Sequence, residues 1–78
     1  MYKILIVEDD ETIAGGLKNH LGKWNYQAEC MTDFKDVMGK FVDFDPQLVL
    51  LDIVLPFFNG FHWCQEIRKI SKVPIIFL

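Results

Sequence analysis

Seventy-eight residues allow one small domain at most, since chains of this size bury only about 60% of their extended surface. With 51% apolar and 24% charged residues the balance is that of an ordinary globular protein and argues against disorder. A net charge of −3 provides no basic footprint, which argues against nucleic-acid binding by this stretch itself.

The first predicted element is a strand, Ile4-Leu5-Ile6-Val7, a continuous aliphatic run of the kind buried on both faces of a parallel sheet. It stops at Glu8-Asp9-Asp10, three carboxylates that cannot continue into a core. Ile13, Leu17 and Leu21 then recur at helical spacing, with Asp10 as N-cap and Gly22 as stop. Gly15 and Gly16 weaken that helix by about 1 kcal/mol each relative to Ala. They read as close packing against the sheet, because no phosphate-loop pattern surrounds them.

Tyr26 to Cys30 is a short strand of lower hydrophobicity, suited to a sheet edge. Phe34, Val37, Met38 and Phe41 mark a second amphipathic helix after Thr32-Asp33. Asp45-Pro46 breaks it, and Leu48-Val49-Leu50-Leu51 forms a second buried-type strand ending at Asp52. Pro56 and Asn59-Gly60 punctuate the next loop. Trp63, Ile67 and Ile70 mark a third helix to about Ser71, and Val73 to Leu78 starts a last strand. The order β-α-β-α-β-α-β implies right-handed crossovers and a parallel sheet with helices on both faces.

Cys30 and Cys64 are too few for a disulfide framework or a zinc site and read as reduced thiols. Lys3 is followed by only four apolar residues before the acidic run, which is not a signal peptide. No apolar stretch approaches the roughly 20 residues needed to cross a bilayer. A cytoplasmic location without membrane insertion is the expectation.

Two buried-type strands end on carboxylates, the first at Glu8-Asp9-Asp10 and the other at Asp52. In open parallel α/β sheets ligands bind at the carboxyl ends of strands, where strand order reverses. If these two strands are neighbours, Asp9 and Asp52 converge on one crevice. Carboxylates without His or Cys select a hard cation, magnesium before calcium where protein ligands are few. A carboxylate beside bound magnesium can act as nucleophile toward a phosphoryl group. Capping of the next helix by Asp10 or Glu11, or simple solvation of the charges, is the competing account from spacing alone.

Three segments carry a resemblance: Lys3-Ile-Leu-Ile-Val-Glu8-Asp9-Asp10, then Pro46-Gln-Leu-Val-Leu-Leu-Asp52-Ile-Val-Leu-Pro56-Phe-Phe-Asn59-Gly60, then Val73-Pro74-Ile-Ile-Phe-Leu. In order and spacing they resemble the response-regulator receiver domains of two-component systems, and together they span the chain. The resemblance implies a flavodoxin-like α/β sheet in the strand order 2-1-3-4-5, an order taken from the family, since a receiver is one of its standard examples. It implies Asp52 as phosphoacceptor, Asp9 as direct magnesium ligand, Glu8 acting on the metal and the backbone carbonyl of Val54 completing the ligands. Pro56 would stiffen the loop that aims this backbone. Gly60 would permit a positive φ or a close backbone approach.

Phe57 and Phe58 depart from the more polar receiver loop. They read either as a docking patch for a kinase or a second copy, or as rings folded onto the third helix. His62, Trp63 and Cys64 are consecutive on a helix and point in different directions, so core packing with a surface His is favoured over a metal trio. His20 reads as a surface His too. The stretch from Pro56 to Arg68 resembles OmpR/PhoB-type regulators, particularly the bacitracin and antimicrobial-peptide-sensing branch. Those pair with a membrane histidine kinase and carry a C-terminal DNA-binding domain that controls transcription.

Measured against that family the chain reads as the N-terminal part of a receiver, incomplete after the fourth strand. The Ser or Thr after that strand, the Lys of a fifth strand and any output domain lie outside it. An apolar edge strand would then invite self-association. The implied function is a phosphoacceptor that transfers phosphate only to itself, not a conventional enzyme. The alternatives are a receiver-like interaction module inactive for phosphorylation, and a metal-dependent phosphatase with an aspartyl nucleophile. The phosphatase is opposed by Val54, which stands where such enzymes place a second Asp.

Overall fold

In the computed structural model, which describes residues 1–78, strands and helices alternate as the patterns require. They are β1 (Lys3–Val7), α1 (Glu11–Lys23), β2 (Gln27–Cys30), α2 (Val37–Phe44), β3 (Leu48–Leu51), α3 (Gly60–Arg68) and β4 (Ile75–Phe77). All strand pairs are parallel, in the order β2-β1-β3-β4. This is the receiver-like α/β arrangement. The two aliphatic runs are its central strands, because only they meet neighbours on both edges and cover on both faces.

Alternation along the strands divides the core. Leu5, Val7, Val49 and Leu51 face Val37, Phe41 and Phe44 of α2 and Trp63 and Ile67 of α3. Ile4, Ile6 and Leu50 face Ala14 of α1, with Leu17 and Leu21 packed beside them. Each such aliphatic side chain contributes about 1.5–3 kcal/mol when fully buried. β2 and β4 are the edges. On β4, Ile75 joins the core under α2 and α3, while Ile76 is 52% and Phe77 39% exposed.

Several local expectations are corrected. Ala14, not Ile13, centres the buried face of α1, and Ile13 is half-exposed. The helix runs past Gly22 to Lys23, and the turn is made by Asn25 at φ 65°, a conformation Asn tolerates. Nothing lies within 4 Å of a Cβ built at Gly15 or Gly16, so close packing against the sheet does not explain either glycine. α2 begins at Val37, capped by the Asp36 carboxylate on the Gly39 N–H. Phe34 precedes it in a turn and still packs on the core. α3 ends at Arg68, leaving Ile70 exposed.

Candidate functional site

The site lies at the carboxyl ends of β1 and β3. Ile4 to Val7 pair with Leu48 to Leu51 in register, so Glu8 and Asp52 leave the sheet side by side. The Asp52 N–H donates to the Val7 carbonyl at 2.9 Å, extending the ladder to the carboxylate's own residue. Asp9 follows on the loop into α1. One carboxylate oxygen from each of Glu8, Asp9 and Asp52 can be chosen so that all lie within 4.8 Å of one another.

The three differ in their surroundings. Glu8 is only 7% exposed, and its Oε2 accepts one hydrogen bond, from the Asp10 N–H at 3.2 Å. Asp52 is half-buried, with Oδ1 accepting from the Ile53 N–H at 2.8 Å. Asp9 is exposed. No Lys or Arg forms an ion pair with any of them: the two ion pairs join Lys40 to Glu29 and Lys69 to Glu66. Burial raises the Glu8 carboxyl above its usual 4.5, the Asp10 N–H opposes the rise, and the charge of Asp52 adds to it. A buried carboxylate among like charges is costly until a cation joins it. An all-oxygen donor set of this kind suits a hard divalent ion such as magnesium.

Asp10 stands apart from the cluster. Its Oδ1 accepts from the N–H groups of Thr12 and Ile13 at 3.0 and 3.2 Å, capping α1. Helix capping therefore accounts for Asp10, while Glu8, Asp9 and Asp52 remain together.

The loop after β3 is tightly determined. A Cβ at Gly60 would collide with the Asp52 carbonyl oxygen and lie 3.0 Å from Ile53 Cα. The Gly60 N–H donates to the Ile53 carbonyl at 2.8 Å. Close backbone approach is therefore the reason for glycine here, since no glycine has a positive φ. Between Pro56 and Phe58 the chain makes a three-residue turn: the Phe58 N–H donates to the Pro56 carbonyl at 2.9 Å, and Phe57 has φ 69°. This is the rarer, strained form of the γ-turn. Asn59 then caps α3, its Oδ1 accepting from the His62 N–H at 3.0 Å. The signal for that role is an Asn directly before an apolar helical stripe, a stronger reading than the loop punctuation expected of the Asn-Gly pair.

The two loop phenylalanines part company. Phe58 folds onto α3, stacked on His62 at 4.3 Å and edge-on to Trp63 at 5.6 Å. Phe57 points outward, 65% exposed, with Lys35 Nζ 4.9 Å from its ring centre. Within the His62-Trp63-Cys64 run, Trp63 is buried and its neighbours are half-buried. His20 is exposed in the last turn of α1. Val54 is 79% exposed beside the site. Cys30 and Cys64 are both free thiols. No helix is long and apolar enough to cross a membrane.

Comparison with known proteins bears on the fold and the family. The family model of the response regulator receiver domain matches residues 4–78. The chain belongs to the receiver-domain family. It is 53% identical over 78 residues to the uncharacterized transcriptional regulatory protein YvcP of Bacillus subtilis, covering all of this chain and 33% of YvcP. Among solved structures, the N-terminal domain of the nisin resistance regulator NsrR, a lantibiotic response regulator, shares 48% identity at TM-score 0.91. That match covers 99% of this chain and 65% of that domain. TrrA of Thermotoga maritima shares 31% identity at TM-score 0.85, covers 99% of this receiver and 66% of its own chain, and was solved with Mg(2+)-BeF. TrrA has also been solved in complex with the histidine kinase ThkA. This receiver spans about a third of the length of the curated relatives it matches. The relatives include response regulators by name, among them GraR of Staphylococcus aureus, 45% identical over 76 residues and covered to 34% of its length.

Proposed function

We propose that this receiver accepts a phosphoryl group on Asp52, with magnesium held by Glu8, Asp9, Asp52 and the backbone carbonyl of Val54. The observation that carries the reading is the convergence of three carboxylates, without an ion-paired Lys or Arg, at the ends of two adjacent strands. Bound magnesium would supply charge neutralisation and Lewis-acid polarisation of the incoming phosphoryl oxygens. The chain's own residues position the nucleophile. The Ile53 N–H fixes Oδ1 of Asp52, and the Gly60 contact fixes the backbone that carries it. An Asp52 oxygen attacks phosphorus of a phosphohistidine, a P–O bond forms, and the P–N bond breaks with its electron pair leaving on the imidazole. Pro56 limits the freedom of the loop at its fixed φ.

The donor in this reading is a sensor histidine kinase, by analogy with TrrA and ThkA. The receiver phosphorylates only itself and does not turn over as an enzyme. Residues 1–78 would form the N-terminal part of a cytoplasmic regulator whose DNA-binding output domain controls transcription, as the greater length of its relatives suggests. The exposed Ile76 and Phe77 on edge strand β4 favour self-association of residues 1–78.

Intact mass after incubation with acetyl phosphate and magnesium tests the chemistry. A gain of about 80 Da, sensitive to hydroxylamine and absent from Asp52→Ala, is the expected result. No gain, in residues 1–78 and in the full-length regulator alike, would sink the proposal.

A further inference from the structure

Asparagine followed by glycine is especially prone to spontaneous loss of ammonia, because the second residue has no side chain to hinder ring closure. Asn59-Gly60 is such a pair. The reaction requires the Gly60 nitrogen, stripped of its proton, to attack Cγ of Asn59. The N–Cγ bond closes a five-membered succinimide, and the side-chain nitrogen takes up a proton and leaves as ammonia. Water then opens the ring at either carbonyl. One product is aspartate. The other is isoaspartate, in which the main chain runs through Cβ and Cγ. The other two asparagines, Asn19 and Asn25, precede His20 and Tyr26, whose side chains hinder the same step.

The fold holds both reacting groups in other work. The Gly60 N–H donates to the Ile53 carbonyl at 2.8 Å, so losing its proton first requires breaking that bond. Oδ1 of Asn59 accepts from the His62 N–H at 3.0 Å, which fixes the side chain over the first turn of α3. Asn59 is extended, with ψ 171°, whereas ring closure swings the Gly60 nitrogen toward Cβ. Burial does not shield the side chain, since Asn59 is exposed and water can reach it. We propose that Asn59 is a deamidation site closed by these two hydrogen bonds and released when the first turn of α3 opens. The consequence falls on Asp52. Gly60 packs so closely on the Asp52 carbonyl oxygen that a Cβ would collide with it. The extra main-chain carbon of isoaspartate, inserted directly before Gly60, moves Gly60 out of that contact and its N–H away from Ile53. The backbone that carries Asp52 is loosened in one irreversible step. Because the reaction consumes only water, this assignment stands apart from the phosphoacceptor reading.

Incubation in mildly alkaline buffer, with and without enough urea to unfold the chain, tests it without any phosphodonor. Peptide mapping follows the gain of about 1 Da at each asparagine, and an isoaspartyl methyltransferase labels the isoaspartyl product. In urea Asn59 should convert well ahead of Asn19 and Asn25. In the folded protein it should convert at least about tenfold more slowly than in urea. His62→Pro removes the N–H that Oδ1 accepts, at a first-turn position where proline sacrifices no helical hydrogen bond. It should raise the folded-state rate at Asn59 at least about threefold. Leu17→Ala weakens packing on α1 and leaves both hydrogen bonds in place, so at equal folded fraction, set with urea, it should raise the rate less. Equal rates in folded and unfolded chain, no preference for Asn59 in urea, or equal acceleration in the two variants would each overturn the proposal. The comparison of folded with unfolded chain needs no variant at all.

Discussion

The Asp52 N–H donates to the Val7 carbonyl at 2.9 Å, so the last backbone bond between β1 and β3 ends at the residue whose carboxylate meets Glu8. The sheet itself sets the spacing of the acidic cluster.

One consequence is a pH dependence. The folded Glu8 carboxyl, raised chiefly by burial, binds its proton more tightly than it does in the unfolded chain. Between 4.5 and the raised value the native state therefore holds more protons, and this group's contribution to stability falls as pH rises through that window. Urea unfolding across this pH range without divalent ions is expected to show parent and Glu8→Gln converging at the acid end. The parent should be the less stable of the two above the window. Magnesium favours the ionised form and should restore the parent while leaving Glu8→Gln little changed. Parallel curves for the two proteins at all pH values would refute this.

Glycine to alanine should have opposite signs at two positions. At Gly60 the new Cβ would press on the Asp52 carbonyl oxygen, backbone that cannot give way cheaply. A loss of about 1–3 kcal/mol is expected, equivalent to at least about 4 °C in Tm for a domain this small. At Gly16, exposed with open space around it, alanine should stabilise by about 0.5–1 kcal/mol. Thermal melts of both variants check the pair.

Phe57 sits at φ 69°, where a β-branched side chain is strained and Asn is tolerated. Phe57→Val and Phe57→Asn both lose the contact between Lys35 and the ring. Their difference therefore reports the backbone, and Val should be the less stable by about 1 kcal/mol. Equal urea midpoints would remove the strain argument.

Trp63 is 5% exposed, and its Nε1–H is buried without an acceptor. Phe at this position drops an unsatisfied donor along with some packing, and the two effects offset. Trp63→Phe should stay within about 1 kcal/mol of the parent, while Trp63→Ala should lose about 3–5 kcal/mol. Denaturant midpoints of the two variants distinguish a packing role from a hydrogen-bonding one.

Much of this is legible from local pattern. The aliphatic runs at Ile4–Val7 and Leu48–Leu51, each ended by carboxylates, identify the central strands and the end of the sheet where charge gathers. Asp10 preceding a helical stripe reads as a cap, and the structure keeps it in that role. These features survive because strand burial and helix capping depend on a few neighbouring residues.

What sequence leaves open concerns groups distant along the chain. Gly15, Gly16 and Gly60 are the same residue type, yet only Gly60 meets the backbone of another segment. Phe57 and Phe58 are adjacent and identical, and a single positive φ sends one outward and the other onto His62 and Trp63. Sequence by itself determined which residues could form strands, caps and a carboxylate cluster, through periodicity and local hydrogen bonding. Tertiary structure alone decided which atoms approach one another, because steric contact and shared burial are properties of packed segments and leave no trace in the order of residues.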